Sequence, residues 1–372
     1  MTPKKSQSPK SLWKKIFQWT VCLIVVAGFA QATRHAINQL YAQQKALENR
    51  IVELDSQLAS ADPSQTSQLE QQIARLKHQQ ATYWHVSWPP VLASMACYTM
   101  TILLMGFYWY RTLHFFHQHV PFWPTLRIFF FGQLAKYIPG KAMVIVVRVG
   151  MMRPLGAALV PTTVSVFMET LGAIGIGAAM SVFFFLLKKP EPQFVWLAIT
   201  AFAIAFTPTI PPIFNLGLQW ILRKKLSTHE QHSVRPLSWS HFLFGWYTLA
   251  PAWCFAGLSL FFALQAFPAA DLGSPWNLYL IVGCIGTACL AAVAGFVSFM
   301  PGGAGVRELV LMFLLEPLVG GPMALAIAIW FRLITLASEL IMAGVSLLLP
   351  PRKNNLATPN TLNPDPSPTQ PT

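Results

Sequence analysis

The residues in this chain that could do chemistry are charged side chains embedded in apolar runs, with two glycine turns beside them. Pro139-Gly140-Lys141 follows Lys136, and Pro301-Gly302-Gly303 is followed by Arg307 and Glu308. A Pro-Gly turn that opens a helix offers unpaired backbone amides at the positive end of the helix dipole, and that suits an anion. A cation just past the glycine adds a charged donor to the same spot. Lys136, Pro139, Gly140, Lys141, Gly302, Gly303 and Arg307 are therefore the candidate binding residues for an anionic lipid headgroup. Glu169, Glu308, Arg332 and Glu339 are further charges in apolar sequence, candidates for balancing those cations or carrying a coupling proton. At the bilayer centre such a group costs about 3 kcal/mol on insertion scales, so each demands a partner or a wet cavity. Arg332 and Glu339 are seven residues apart, share a helix face and could form one polar stripe.

Other chemistries find no support. The chain has no Gly-x-x-x-x-Gly-Lys-Ser/Thr loop for a nucleotide, no Gly-x-Ser-x-Gly and no His-Glu-x-x-His. No Asp-x-Asp pair is present to hold the divalent ion that sugar-nucleotide transferases often use. We therefore expect no catalytic residues, no cofactor and no metal. The five cysteines all lie in apolar segments and form no Cys-x-x-Cys pair, so they read as small buried hydrophobes. His114, His117 and His119 cluster beside Phe115 and Phe116 with no local cysteine or carboxylate, and read as an interfacial loop.

The elements that must position these charges are membrane helices. Of 372 residues, 54% are hydrophobic and only 10% charged, against about a quarter charged in soluble domains. The net charge of +13 sits in short basic runs beside apolar segments. That is positive-inside patterning. It accounts for the basic balance without nucleic acid, for which no aromatic-interleaved basic stripe argues.

Residues 1–30 read as a basic cytoplasmic leader and a first transmembrane helix, with Ala30-Gln31-Ala32 as a competing signal-peptidase site. Residues 31–88 carry Leu40, Leu47, Ile51, Leu54 and Leu58 at coiled-coil spacing, a break at Asp62-Pro63-Ser64, and a capping box at Ser67-x-x-Glu70. This predicts an antiparallel helical hairpin on the outer face, either a docking arm for a protein partner or a neutral spacer.

Residues 89–350 form the transmembrane domain. Val91–Tyr110 is a span that ends in an aromatic belt. Trp123–Met152 holds Arg127, Lys136, Lys141 and Arg148 around Pro139-Gly140, too many cations for a straight span, and reads as a re-entrant hairpin. Val160–Leu187 carries Glu169. Phe194–Leu222 should break at Pro208, Pro211 and Pro212, and Phe242–Leu264, Leu278–Met300 and Pro322–Leu349 follow. The proline-rich residues 351–372 should be a disordered cytoplasmic tail. The fold class is an all-α polytopic bundle of six to eight spans with one or two re-entrant hairpins. Eight spans plus one hairpin and six spans plus two hairpins both fit, and the second plan is an inverted repeat.

Gln133-Leu134-Ala135-Lys136-Tyr137-Ile138-Pro139-Gly140-Lys141 resembles the "Q-L-x-K-Y-I-P-G-K" element of the lysylphosphatidylglycerol synthase/flippase transmembrane-domain family. Pro301-Gly302-Gly303-Ala304-Gly305-Val306-Arg307-Glu308 is similar to that family's "P-G-G-x-G-x-R-E", and Glu169 matches its acidic position. The likeness covers roughly Val91 to Leu349. It implies kinship with the flippase half of multiple peptide resistance factors, which moves aminoacylated phosphatidylglycerol between leaflets. The chain stops where a soluble aminoacyl-transferase domain would begin, so a stand-alone member without synthase activity is expected. The 31–88 insertion is not a recognised family feature. The resulting expectation is a non-enzymatic translocator of an anionic lipid in a bacterial inner membrane, both termini cytoplasmic. The alternatives are a membrane transferase acting on polyprenyl-linked sugars and a scaffold for envelope assembly. Nothing in the sequence specifies an oligomeric state.

Overall fold

The computed structural model describes residues 48–58, 63–82, 85–138, 143–187, 192–225, 234–268, 277–298 and 300–348, with a few positions between 34 and 45. The first helix, the Pro139-Gly140-Lys141 turn and the tail from 351 lie outside the described residues. The protein is an all-α bundle. Its elements are α1 (48–58), α2 (Pro63–Thr82), α3 (Trp88–Phe115), α4 (Phe122–Ala135), α5 (Met143–Met152), α6 (Leu159–Leu186), α7 (Pro192–Phe206), α8 (Pro211–Lys225), α9 (Trp239–Gln265), α10 (Leu278–Val297), α11 (Val306–Val319) and α12 (Gly321–Leu348). Among the described residues, α3, α6, α9, α10 and α12 are long and apolar enough to cross a bilayer. About 20 residues are needed for that, so α4, α5 and α11 are too short to span alone.

In the α1–α2 segment Ile51, Leu54 and Ile73 are buried, and Lys77 pairs with Asp55 across the two helices at 3.4 Å. α2 starts at Pro63, four residues before the expected capping box. Proline at the first helical position sacrifices no intrahelical bond, because that amide would be unpaired anyway. Ser67 and Glu70 therefore lie inside the helix rather than at its start. The break at Pro208 is found as expected: α7 ends at Phe206, a 3-10 turn covers Thr207–Thr209, and α8 starts at Pro211.

The bundle is organised around an antiparallel seam between α3 and α9. Ser94 Oγ donates to the Ser259 carbonyl at 2.7 Å, and Ser259 Oγ donates back to the Ser94 carbonyl at 2.9 Å. Seven residues on, Thr101 Oγ1 donates to the Ala252 carbonyl at 3.1 Å. A further seven on, the Tyr108 ring lies against Gly245. Small and hydroxyl-bearing residues at this spacing allow close backbone approach, which is how apolar helices associate without a hydrophobic driving force.

Two sets of elements flank the seam in the same order. α3 is followed by the packed pair α4–α5 and then α6; α9 is followed by the packed pair α10–α11 and then α12. The helix that closes each set packs on the leading helix of the other pair, α6 on α10 and α12 on α4. α6 and α10 are antiparallel: Phe184 lies at Gly286, while Glu169 and Phe296 border one cavity. α10 therefore ends beside the eleventh residue of α6, roughly 15 Å along that helix. The turn after α10 is thus interior, and it meets the end of α4 there, with the Tyr137 ring against Gly302.

Candidate functional site

The α10–α11 turn is built from backbone only glycine adopts readily. Gly302, Gly303 and Gly305 have φ of 59°, 70° and 81°, in the left-handed region where a β-carbon is strained. Glu308 reaches back to accept from the Gly305 amide at 2.6 Å. Gly303 and Ala304 amides donate to the Met300 and Pro301 carbonyls. These three amides are taken up within the turn itself. The turn also packs Gly303 against the Arg307 side chain.

Behind the turn, Arg332 of α12 acts as a clasp. Its Nη2 donates to the Gly302 carbonyl at 2.8 Å, its Nε lies 3.4 Å from Glu308 Oε1, and its guanidinium covers the Tyr137 ring at 5.0 Å. Two helical turns further along α12, Glu339 is 1% exposed and accepts from Tyr98 at 2.8 Å and from Lys136 Nζ. Arg332 and Glu339 do lie on one stretch of α12, but they do not pair with each other. Seven residues of helix separate them by about 10 Å, and each is met by a residue from a different helix pair.

The other pair has its own ion bridge. Arg148 on α5 is 1% exposed, donates from Nη1 to Glu169 Oε2 at 2.7 Å, and lies over the rings of Phe129 and Trp109 at 4.3 and 4.9 Å. A buried guanidinium needs both charge compensation and a polarisable cover. Here Glu169 supplies the first and the aromatic rings supply the second.

These groups surround one cavity of about 300 Å³ between the two pairs, bordered by Gly132, Lys136, Arg148, Glu169, Gly295, Gly302, Gly303 and Arg307, among others. Of the residues expected to bind a headgroup, Lys136, Gly302, Gly303 and Arg307 border it, and Pro139, Gly140 and Lys141 lie outside the described residues. Of the balancing acids, Glu169 is on the wall, while Glu308 and Glu339 are turned away into ion pairs with Arg332 and Lys136. Arg307 is the exception. Its guanidinium covers Phe296 at 5.2 Å, and it forms no ion pair with any described carboxylate. Its Nε is buried without an acceptor.

A model of the lysylphosphatidylglycerol synthase transmembrane region matches residues 66–343. The chain belongs to that family. The match takes in both glycine turns, every charged residue on the cavity wall and most of α2, so the family region begins within α2 rather than at α3. Family membership and the five apolar helices make this a multi-pass membrane protein with a membrane-lipid-related function. No curated protein matches the chain.

Sequence reasoning passed over Arg148, Gly132, Gly295 and Tyr98. Arg148 was visible as one of several cations in Trp123–Met152, but its partner is 21 residues away on another helix. For the two glycines a signal existed: each precedes a Pro-Gly turn by six or seven residues on the helix leading into it.

Proposed function

We propose that this protein is a non-enzymatic translocator that carries the anionic headgroup of a membrane lipid through the cavity between its two helix pairs, with the acyl chains left in the bilayer. The observation that carries this reading is Arg307, a guanidinium at the wall of a 300 Å³ interior cavity with no acidic partner among the described residues. A half-buried cation in no ion pair with a described acid, its Nε buried without an acceptor, is costly, and an anion arriving from outside the protein reduces that cost. Lys136 and Arg148 on the same wall extend the positive field.

In this reading α4–α5 and α10–α11 are re-entrant hairpins that enter from opposite faces and meet near the midplane. The shortness of α4, α5 and α11, the interior turn after α10 and the antiparallel α3–α9 seam support it. The two sets of four helices would then be inverted repeats, a plan in which one half rocks against the other around a fixed site. The setting is a bacterial inner membrane, with the 31–88 hairpin on the outer face. Without a nucleotide site, transport runs downhill or on an ion gradient.

Reconstitution tests this. Arg307→Gln should slow lipid transfer in proteoliposomes about ten- to a hundredfold, the equivalent of one charge-assisted contact of roughly 1.5–3 kcal/mol. Lys224→Gln removes the same charge from the exposed end of α8 and should change little. An Arg307→Gln protein that melts normally and transfers lipid at the wild-type rate would remove the headgroup site.

A further inference from the structure

The two helix pairs contain the same small device. In each, a glycine on the leading helix faces an arginine on the following helix: Gly132 of α4 faces Arg148 of α5, and Gly295 of α10 faces Arg307 of α11. A β-carbon at either glycine would fall 2.3 Å from the arginine Nε. Only the missing side chain lets each guanidinium lie against helix backbone. Both arginines border the same cavity, both cover aromatic rings, and the Nε of each is buried without an acceptor.

They differ in what occupies them. Arg148 donates to Glu169 at 2.7 Å, while Arg307 pairs with no described acid. The acid on the helix that closes the second set, Glu339, is drawn across to Lys136 of the first. A guanidinium fork receives a carboxylate and a phosphate oxyanion by the same geometry, so Glu169 stands where a phosphate oxygen would.

We propose that Arg148 is a second anion seat, matched to the one at Arg307, which takes the phosphate-ester oxyanion of the transported headgroup and is closed in this structure by Glu169. The proposal rests on the headgroup reading of the cavity. It assigns the headgroup two successive positions, one on each helix pair, with Glu169 acting as an internal stand-in that the arriving phosphate displaces. Glu169 is 5% exposed and lies on the cavity wall, as displacement requires.

The test uses the full chain in detergent, with phosphatidylglycerol in mixed micelles as probe and ligand-dependent melting as readout. Arg307→Gln alone should weaken binding by tenfold or more. Adding Glu169→Gln should open the second seat and restore at least tenfold, and adding Arg148→Gln to that pair should abolish the restoration. Arg307→Gln without effect would bring down the headgroup reading itself. Loss with Arg307→Gln and no restoration on adding Glu169→Gln overturns the second seat alone. Should Glu169→Gln fail to fold, Glu169→Asp retains the charge but withdraws the carboxylate by one methylene. It should then restore part of the binding in the Arg307→Gln background, and no restoration again overturns the seat. A parallel titration with inorganic phosphate separates the sources. Restoration by phosphatidylglycerol supports a lipid headgroup, and restoration by inorganic phosphate alone overturns it.

Discussion

The α4–α5 and α10–α11 pairs look alike in outline and differ in where their charges are settled. In the first pair the arginine is neutralised close by, through Arg148 and Glu169 on the helix that follows. In the second the turn is locked by Arg332 and Glu308, and Arg307 is left facing the cavity. Lys136 at the tip of α4 ties the first pair to Glu339 on α12, the helix that closes the second set. One pair is thus electrically closed and the other open, with the Lys136–Glu339 cross-tie and the Arg332 contacts to Tyr137 and Gly302 between the two sets. Equivalent parts with unequal charge settlement are what a two-position carrier caught in one state would show. The comparison can be broken at three places.

The largest effect should come from the cross-tie. Glu339→Gln leaves the half-buried Lys136 without its counter-charge and deprives Tyr98 of its carboxylate acceptor. Removing one partner of a fully buried pair costs about 3–5 kcal/mol, and the exposure that Lys136 keeps at the cavity sets the loss at the lower end of that range. Melting in detergent should therefore fall steeply for Glu339→Gln and recover in part when Lys136→Gln is added. A single variant that melts like wild type would mean that the Lys136–Glu339 bond does not hold the two sets together.

An intermediate effect, and a sharper comparison, should come from the glycines. Gly132→Ala and Gly295→Ala each force a β-carbon into an arginine side chain, with a steric cost of about 1–3 kcal/mol. The consequences should diverge. Arg148 cannot move without straining its bridge to Glu169, so Gly132→Ala should lower the melting temperature more. Arg307 has no described bridge to lose, so Gly295→Ala should cost less stability and more lipid transfer, because its guanidinium leaves the cavity wall. Equal losses of both stability and transfer for the two variants would erase the distinction between a closed and an open seat.

Much of this was legible before any coordinates. Cations inside apolar runs beside Pro-Gly turns pointed to Lys136 and Arg307, because a charge at membrane depth has few reasons to be there. Prolines at 208 and 211 announced the broken helix by removing backbone donors. The pairings were not legible. Lys136 and Glu339 are 203 residues apart, and no local pattern says which acid a cation will meet once helices pack. Arg332 and Glu339 were grouped by helical spacing, and the neighbouring helices separated them. The inside of the turn is no more legible: Glu308, three residues past Gly305, folds back to accept from the Gly305 amide. Spacing revealed which residues share a face, while the partner on the opposite face depended on the whole fold.

The smallest effect should lie at the seam between the halves. Ser94 and Ser259 exchange two hydrogen bonds, each from a hydroxyl to the other residue's carbonyl, where α3 and α9 cross. Ser94→Ala removes one donor. Hydroxyl contacts between helices in a membrane average well under the vacuum figure, about 0.6 kcal/mol, because the unfolded helices find other partners. A loss of about 0.5–1 kcal/mol should therefore appear as a small drop in melting temperature. The informative quantity is the transfer rate measured beside it. If the halves rock about a seam that stays packed in both states, the lost bond weakens both equally, and a ligand-driven equilibrium between them does not move. Transfer should then stay within about twofold of wild type. A fall of tenfold from so weak a contact would mean that α3 and α9 slide past each other during the cycle. The asymmetry between the pairs would then be set by the position of the seam, and the ion bridges would follow it.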